Sequence, residues 1–256
     1  MIVLQARELL KDEEYAQKES FVVVADTQSA GRGTRGRTWV SVVGNLYMTL
    51  VLNMGDVPLP LTLTPIRIGA FIIQAIDKAL IHKDFCLSES TETHSSTPLV
   101  QLKWPNDVII NSEKVSGVLI EIEQGKLLVG IGVNIANAPA APTEGPDSGC
   151  REATALSRHL SERTVTDEQM TLRLRNYLAT EIYDAARFWV GGSSGDTVQA
   201  ALNDFQLRMD DSWQVSYFSW NIVSYSWCEG TLSYKLCALI TFHFFPFSYS
   251  LTGSAA

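Results

Sequence analysis

Apolar residues alternate or cluster in six short stretches, and the pattern predicts β-strands at 21–25, 46–52, 99–103, 108–110, 115–123 and 127–134. Several of these follow one another closely, which predicts a mainly antiparallel sheet. EQGK at 123–126 predicts a tight hairpin, with Gly125 at the position that needs permissive backbone angles. Between the second and third strands, LTPIRIGAFIIQAIDKALI carries apolar residues at helical spacing behind Pro60 and Pro65 and predicts a long core helix. An amphipathic helix is predicted over 4–15, and two more between 151 and 189, of which TLRLRNYLATEIYDAARFW is the more periodic. Segments 82–98, rich in Ser and Thr, and 136–149, rich in Pro, Gly and Ala, read as surface loops. No internal repeat is visible. The class expected is α+β: a mixed, mainly antiparallel sheet with helices packed on one side.

A length of 256 residues suffices for one sizeable domain, or a domain and a small module. With 46% hydrophobic and 19% charged residues, the composition is that of a globular protein. A net charge of -8 argues against a general nucleic-acid binder, because phosphate contacts need a basic face. Cys86, Cys150, Cys228 and Cys237 show no CxxC spacing, so neither a zinc site nor a disulfide framework is indicated, and a reducing compartment is expected. The first residues lack the basic and apolar regions of a secretory signal. Residues 216–256 differ in kind: they hold 11 of the 24 aromatics but only two charges, Glu229 and Lys235. LCALITFHFFPF, interrupted by His243 and Pro246, is too short for a membrane span of ~20 residues. This tail reads as an intron or out-of-frame translation rather than an evolved domain end, with a membrane-associated or packed tail as the alternative. No function is assigned to it.

Four stretches carry chemistry. Gly31 to Arg37, GRGTRGR, puts three arginines among three glycines on a negative protein. Glycines let main-chain N–H groups approach a ligand, and arginines pair with carboxylate or phosphate oxygens in a fork; a solvated basic turn is the alternative. In KWPND, 103–107, Asp107 suits Mg²⁺ or a ribose hydroxyl and Asn106 a base or phosphate, against an ordinary Asx turn. In KVSGVLIE, 114–121, Lys114 opens a buried strand and Gly117 leaves room for a ligand beside it. In GIGVN, 130–134, small residues mark a close approach to the backbone, and Asn134 ends the strand at the same edge.

The order GRGxRGRxW, KWPND, KxxGxLxE, GxGxN resembles that of the biotin protein ligases, from about Gln5 to Trp189. The resemblance implies a class II synthetase-like catalytic fold. It implies ATP-dependent formation of biotinyl-5′-adenylate and transfer of biotin to a lysine of the carrier domain of a biotin-dependent carboxylase. On the same basis Lys114 and Arg32 are the catalytic cations. Gln28, Gly31, Arg32, Gly33, Thr34, Lys114 and Gly117 are the expected biotin contacts. Arg35, Arg37, Trp39, Asn106, Asp107 and Asn134 are the expected ATP contacts, with Mg²⁺ at Asp107. ATP and biotin are substrates; no protein nucleophile is required, because the attacking amine belongs to the carrier. The resemblance further implies an arginine loop that orders over bound adenylate, a cytoplasmic or organellar setting, and compatibility with a homodimer. It divides the chain into a catalytic domain, 1–190, the degenerate start of a C-terminal domain, 191–215, and the tail, 216–256.

Three departures accompany the resemblance. Thr34 stands where many members carry another arginine, and Met1, Ile2 and Val3 stand where a Ser-Thr-Asn element is usual, so the start reads as truncated. SWQV, 212–215, is a remnant of the usual C-terminal domain, and no N-terminal winged helix supports a repressor role. A lipoate ligase, or a non-catalytic binder of biotin or adenylate, are the competing readings.

Overall fold

The computed structural model describes residues 2–85, 99–140, 152–160, 167–192 and Arg208, all within one compact unit, Met1–Asp210. The predicted tail, the C-terminal domain remnant and most of both predicted loops lie outside the described residues. The elements are α1 (Ile2–Leu9), α2 (Glu13–Gln17), β1 (Ser20–Ala25), β2 (Leu46–Asn53), α3 (Thr64–Ile81), β3 (Val100–Lys103), β4 (Asp107–Ile110), β5 (Glu113–Glu123), β6 (Lys126–Val133) and α4 (Glu168–Val190). Each expected strand forms within two residues of its predicted limits.

The six strands form one sheet in the order β1-β2-β6-β5-β4-β3, and every strand pair is antiparallel. The parallel component expected of a mixed sheet is confined, among the described residues, to a single bridge between Lys114 and Ala153. Two hairpins turn on paired left-handed residues: Gln124 and Gly125, as expected, and Asn111 and Ser112, which join β4 to β5.

Register assigns the two faces. The row Leu46, Val133, Ser116, Val108, Leu102 runs across five strands on one face. Here α3 packs, its Gly69 lying so close that an added Cβ would meet Leu102 and Val108. Ile66, Ile68, Ile72, Ile73 and Ile76 of α3 are buried, each stabilising by about 1.5–3 kcal/mol. The second helix on this side, α4, packs on α3 through the Phe71–Trp189 edge contact. Its N-cap, Asp167, accepts from the N–H groups of Gln169 and Met170 at 2.9 and 3.3 Å. Asp167→Ala should therefore lower stability by about 1 kcal/mol in a denaturant titration; an unchanged midpoint would mean that tertiary packing alone holds this end.

The opposite face carries α1, which buries Ile2, Val3 and Ala6 against Phe21, Val51 and Leu128. Helices thus cover both faces, two on one side and a short one over half of the other. The helix predicted over 4–15 is broken at Asp12, whose side chain accepts from Glu14 N–H and starts α2. Of the two helices predicted between 151 and 189 the second forms; the first reduces, among the described residues, to one 3-10 turn, Leu156–Arg158. No described helix is long and apolar enough to cross a membrane.

Candidate functional site

The half of the second face that α1 leaves open holds the site. A single row crosses the whole sheet there: Ala25, Tyr47, Gly132, Gly117, Asp107, Lys103. Gly132 and Gly117 are direct partners, so the sheet has a bare floor two strands wide. The Trp39 indole rests on it: a Cβ at Gly132 would come within 2.6–2.8 Å of three indole atoms, and one at Gly117 within 3.0 Å.

Strict alternation would put Lys114 on the α3 face, with Ser116 and Val118. The register instead shifts between Val108 and Ile109, so that Val108 pairs with Ser116 but Ile109 with Lys114. This bulge turns the lysine onto the face of Asp107 and Gly117. Its Nζ lies 2.6 Å from Asp107 Oδ1 and 5.2 Å from the centre of the Trp39 ring. The contact with Asp107 is an ion pair without hydrogen-bond alignment, since Oδ1 has no aligned donor among the described residues.

The Lys114 backbone is held from the other side. Its N–H donates to Glu152 O at 2.8 Å, and Thr154 N–H donates to Lys114 O at 2.9 Å. Thr154 Oγ1 lies 3.2 Å from His159 Nε2. Burial pushes the His159 ring below its usual 6.5, against Glu113, which raises it, and together with Arg158, which lowers it further. An unfolded chain therefore takes up this proton first as pH falls. The stability contributed by the neutral ring is present above about pH 6.5 and lost as pH falls through the window below it. Thermal unfolding of wild type and His159→Gln between pH 7.5 and 5 should show a shallower decline for the variant; parallel curves would exclude His159 as the cause.

The arginine loop is a small hairpin. Trp39 N–H donates to Gly31 O at 2.9 Å, Gly33 N–H to Arg37 O at 2.8 Å, and Arg32 bridges Thr38. A 3-10 turn, Thr34–Gly36, closes it. A Cβ at Gly31 would run into the carbonyl of Trp39, which is why that glycine is needed. Arg37 folds back on Thr34, reaching its hydroxyl at 3.3 Å. Arg35 lies in the turn, and its expected ATP contact depends on a side chain outside the description. Arg32 points along the sheet to Glu121, Nη2 to Oε1 2.9 Å.

The remaining expected contacts lie around this centre. Gln28 joins the start of α1 to the loop's end, accepting from Ile2 N–H and donating to Ser41, both at 3.2 Å. Asn106 donates its side-chain amide to Val118 O at 2.8 Å, and its carbonyl accepts from Val118 N–H. Asn134 is 2% exposed; its amide donates to Thr154 O at 3.1 Å, and its Oδ1 has no partner among the described residues. Lys114, Asp107, Gly117 and Trp39 therefore converge, while Asn106 and Asn134 brace the chain around them. Asn45 was not singled out from sequence. Its Oδ1 accepts from the N–H groups of Ile135, Ala136 and Asn137 and fixes the exit from β6. Glu121, inside the KxxGxLxE motif, also carried no assigned role.

The Mg²⁺ contact expected at Asp107 rests on a single carboxylate, the kind of donor that holds Mg²⁺ together with substrate phosphates rather than in a protein cage. Asp107 is the carboxylate beside Lys114, already paired with it, and the described residues hold no group of three or more potential metal ligands.

The model of the Biotin/lipoate A/B protein ligase family matches residues 4–136, just over half of the chain. The chain belongs to this family. The bifunctional ligase/repressor BirA of Bacillus subtilis (strain 168) is 33% identical over 153 residues, 57% of this chain and 41% of that protein. The biotin–[acetyl-CoA-carboxylase] ligase of Paracoccus denitrificans is 35% identical over 124 residues, 46% of each. The chain thus spans less than half the length of these curated relatives. Among solved structures, biotin protein ligase from Leishmania major in complex with biotin superposes with a TM-score of 0.60 at 28% identity, covering 87% of this chain and 83% of that one. That enzyme has also been solved with biotinyl-5-AMP, with a TM-score of 0.57 at 29% identity, covering 87% and 82%. The α+β antiparallel architecture expected from sequence is the one these family members share.

Proposed function

We propose that this chain is a biotin protein ligase. It joins the biotin carboxylate to the α-phosphate of ATP, forming biotinyl-5′-adenylate and releasing pyrophosphate. A lysine amine of a carrier domain then attacks the anhydride carbonyl, biotin passes to that amine, and AMP leaves. The observation that carries the reading is the bulge that aims Lys114 across the glycine floor beneath Trp39. Two anions must meet there, and a fixed ammonium opposes their repulsion and neutralises charge developing on the phosphate. Gly117 and Gly132 leave room for the Trp39 indole against the sheet, and the ring supplies an apolar wall beside Lys114 that limits hydrolysis of the anhydride.

By resemblance, Arg32 joins Lys114 on the ligand's anionic end, Gln28 faces the polar end of biotin, and Asn106, Asp107, Asn134, Arg35 and Arg37 surround the nucleotide. The partner is the biotin carboxyl carrier domain of a carboxylase, the setting cytoplasmic or organellar, and residues 1–190 form the catalytic domain. The test is incubation with biotin, ATP, Mg²⁺ and a purified carrier domain. The carrier should gain the mass of one biotinyl group at a single lysine, and lipoic acid should give no product. Lipoylation in place of biotinylation would assign the chain to the other branch of its family.

A further inference from the structure

Glu121 lies four residues along β5 from Gly117, on the same face, which places it about 13 Å from the glycine floor at strand rise. Two arginines meet on it. Arg7, from the last turn of α1, reaches Oε2 at 2.7 Å and also contacts Glu123 at 3.3 Å, while Arg32 of the loop reaches Oε1 at 2.9 Å. The Glu121 side chain is 18% exposed and anchored from the α1 side; that of Arg32 is 48% exposed and comes from the loop. One partner is the more buried and the other the more exposed.

Resting on the ligase reading, we propose that Glu121 is a positioning residue that holds Arg32 away from the reacting anion in the empty protein. Ligand binding exchanges the Glu121 carboxylate for the anionic end of the ligand on the Arg32 guanidinium. In its present pose Arg32 is paired with a carboxylate about 13 Å along the strand from Gly117, and opening this pair lets the guanidinium turn toward the anion beside Lys114. The pair is suited to exchange because its Arg32 side is half exposed: contacts open to solvent are weak and screened by salt. Arg7 stays on Glu123 when Arg32 leaves, so α1 keeps an anchor. The same exchange links the arginine loop, whose second residue is Arg32, to occupancy of the site.

The experiment compares wild type, Glu121→Gln and Glu121→Gln in an Arg32→Ala background. Ligand-free protein is digested briefly with trypsin, and biotin or its neutral analogue biotinamide is titrated by calorimetry at low and high salt. Glu121→Gln should speed cleavage after Arg32. It should tighten biotin about two- to fivefold at low salt, with a smaller gain at high salt and none for biotinamide. Without Arg32 the substitution should change biotin affinity little. Equal cleavage rates, or the same change for biotin and biotinamide, would overturn the proposal, since a purely structural role does not distinguish the two ligands. Wild type that binds neither compound contradicts the ligase reading instead, and the cleavage comparison still decides whether Glu121 restrains Arg32.

Discussion

Lys114→Ala is expected to lower the rate of biotinyl-5′-adenylate formation by about 10²-fold or more while leaving the fold intact. The lysine sits at a bulge, side chain 25% exposed, with its backbone pinned by Glu152 and Thr154, so truncation removes the ammonium without moving the strand. What is lost is a preorganised positive charge where carboxylate and phosphate meet, an interaction whose value rises in the transition state. Asp107 loses its counter-ion in this variant and adds an unopposed negative charge beside two anions. Lys114→Ala combined with Asp107→Asn should therefore recover part of the loss. The measurement is quenched-flow or endpoint quantification of adenylate. An unchanged rate in the single variant would remove Lys114 from the chemistry.

The second large effect is expected at Gly132. In Gly132→Val the new Cβ falls 2.6–2.8 Å from the Trp39 indole, so the ring must leave the floor and the branched side chain takes its place. Valine suits a central strand, and the stability change should stay within about 1–3 kcal/mol. Ligand binding and adenylate formation should fall about 10²-fold while most of the protein stays folded, because a reactant displaced by an ångström loses its alignment. The route through Trp39 is checked by a double-mutant cycle: with Trp39→Ala already present, Gly132→Val should cost little. Independent effects of the two substitutions would show that Gly132 acts by some other contact.

The strands were legible because their apolar runs are long and their turns carry residues that tolerate positive φ. The helix over 4–15 was misread because its apolar period continues across Asp12, and only the cap reveals the break. Among the described residues, the stretch after residue 151 is not helical at its start for a tertiary reason: the chain there is drawn alongside Lys114 as a bridge, with Leu156 N–H bound to Asn134 O. Local period cannot report that pull. In the site, the residue types singled out in the motifs do gather on one face, but the bulge that aims Lys114 is a mismatch of one residue between β4 and β5 and is invisible in either strand alone. Asn45 and Glu121 were passed over for a related reason. Each looks like an ordinary polar residue until the partners 90 and 89 positions away in sequence come into contact with it.

The most direct test of the central claim is mass spectrometry of the wild-type chain incubated with biotin, ATP and Mg²⁺ in the absence of any carrier. A biotinyl-5′-adenylate peak dependent on all three, and absent in Lys114→Ala, is the expected result. Biotin binding with no adenylate after many equivalents of ATP would contradict the account and leave a binding protein built on a ligase fold.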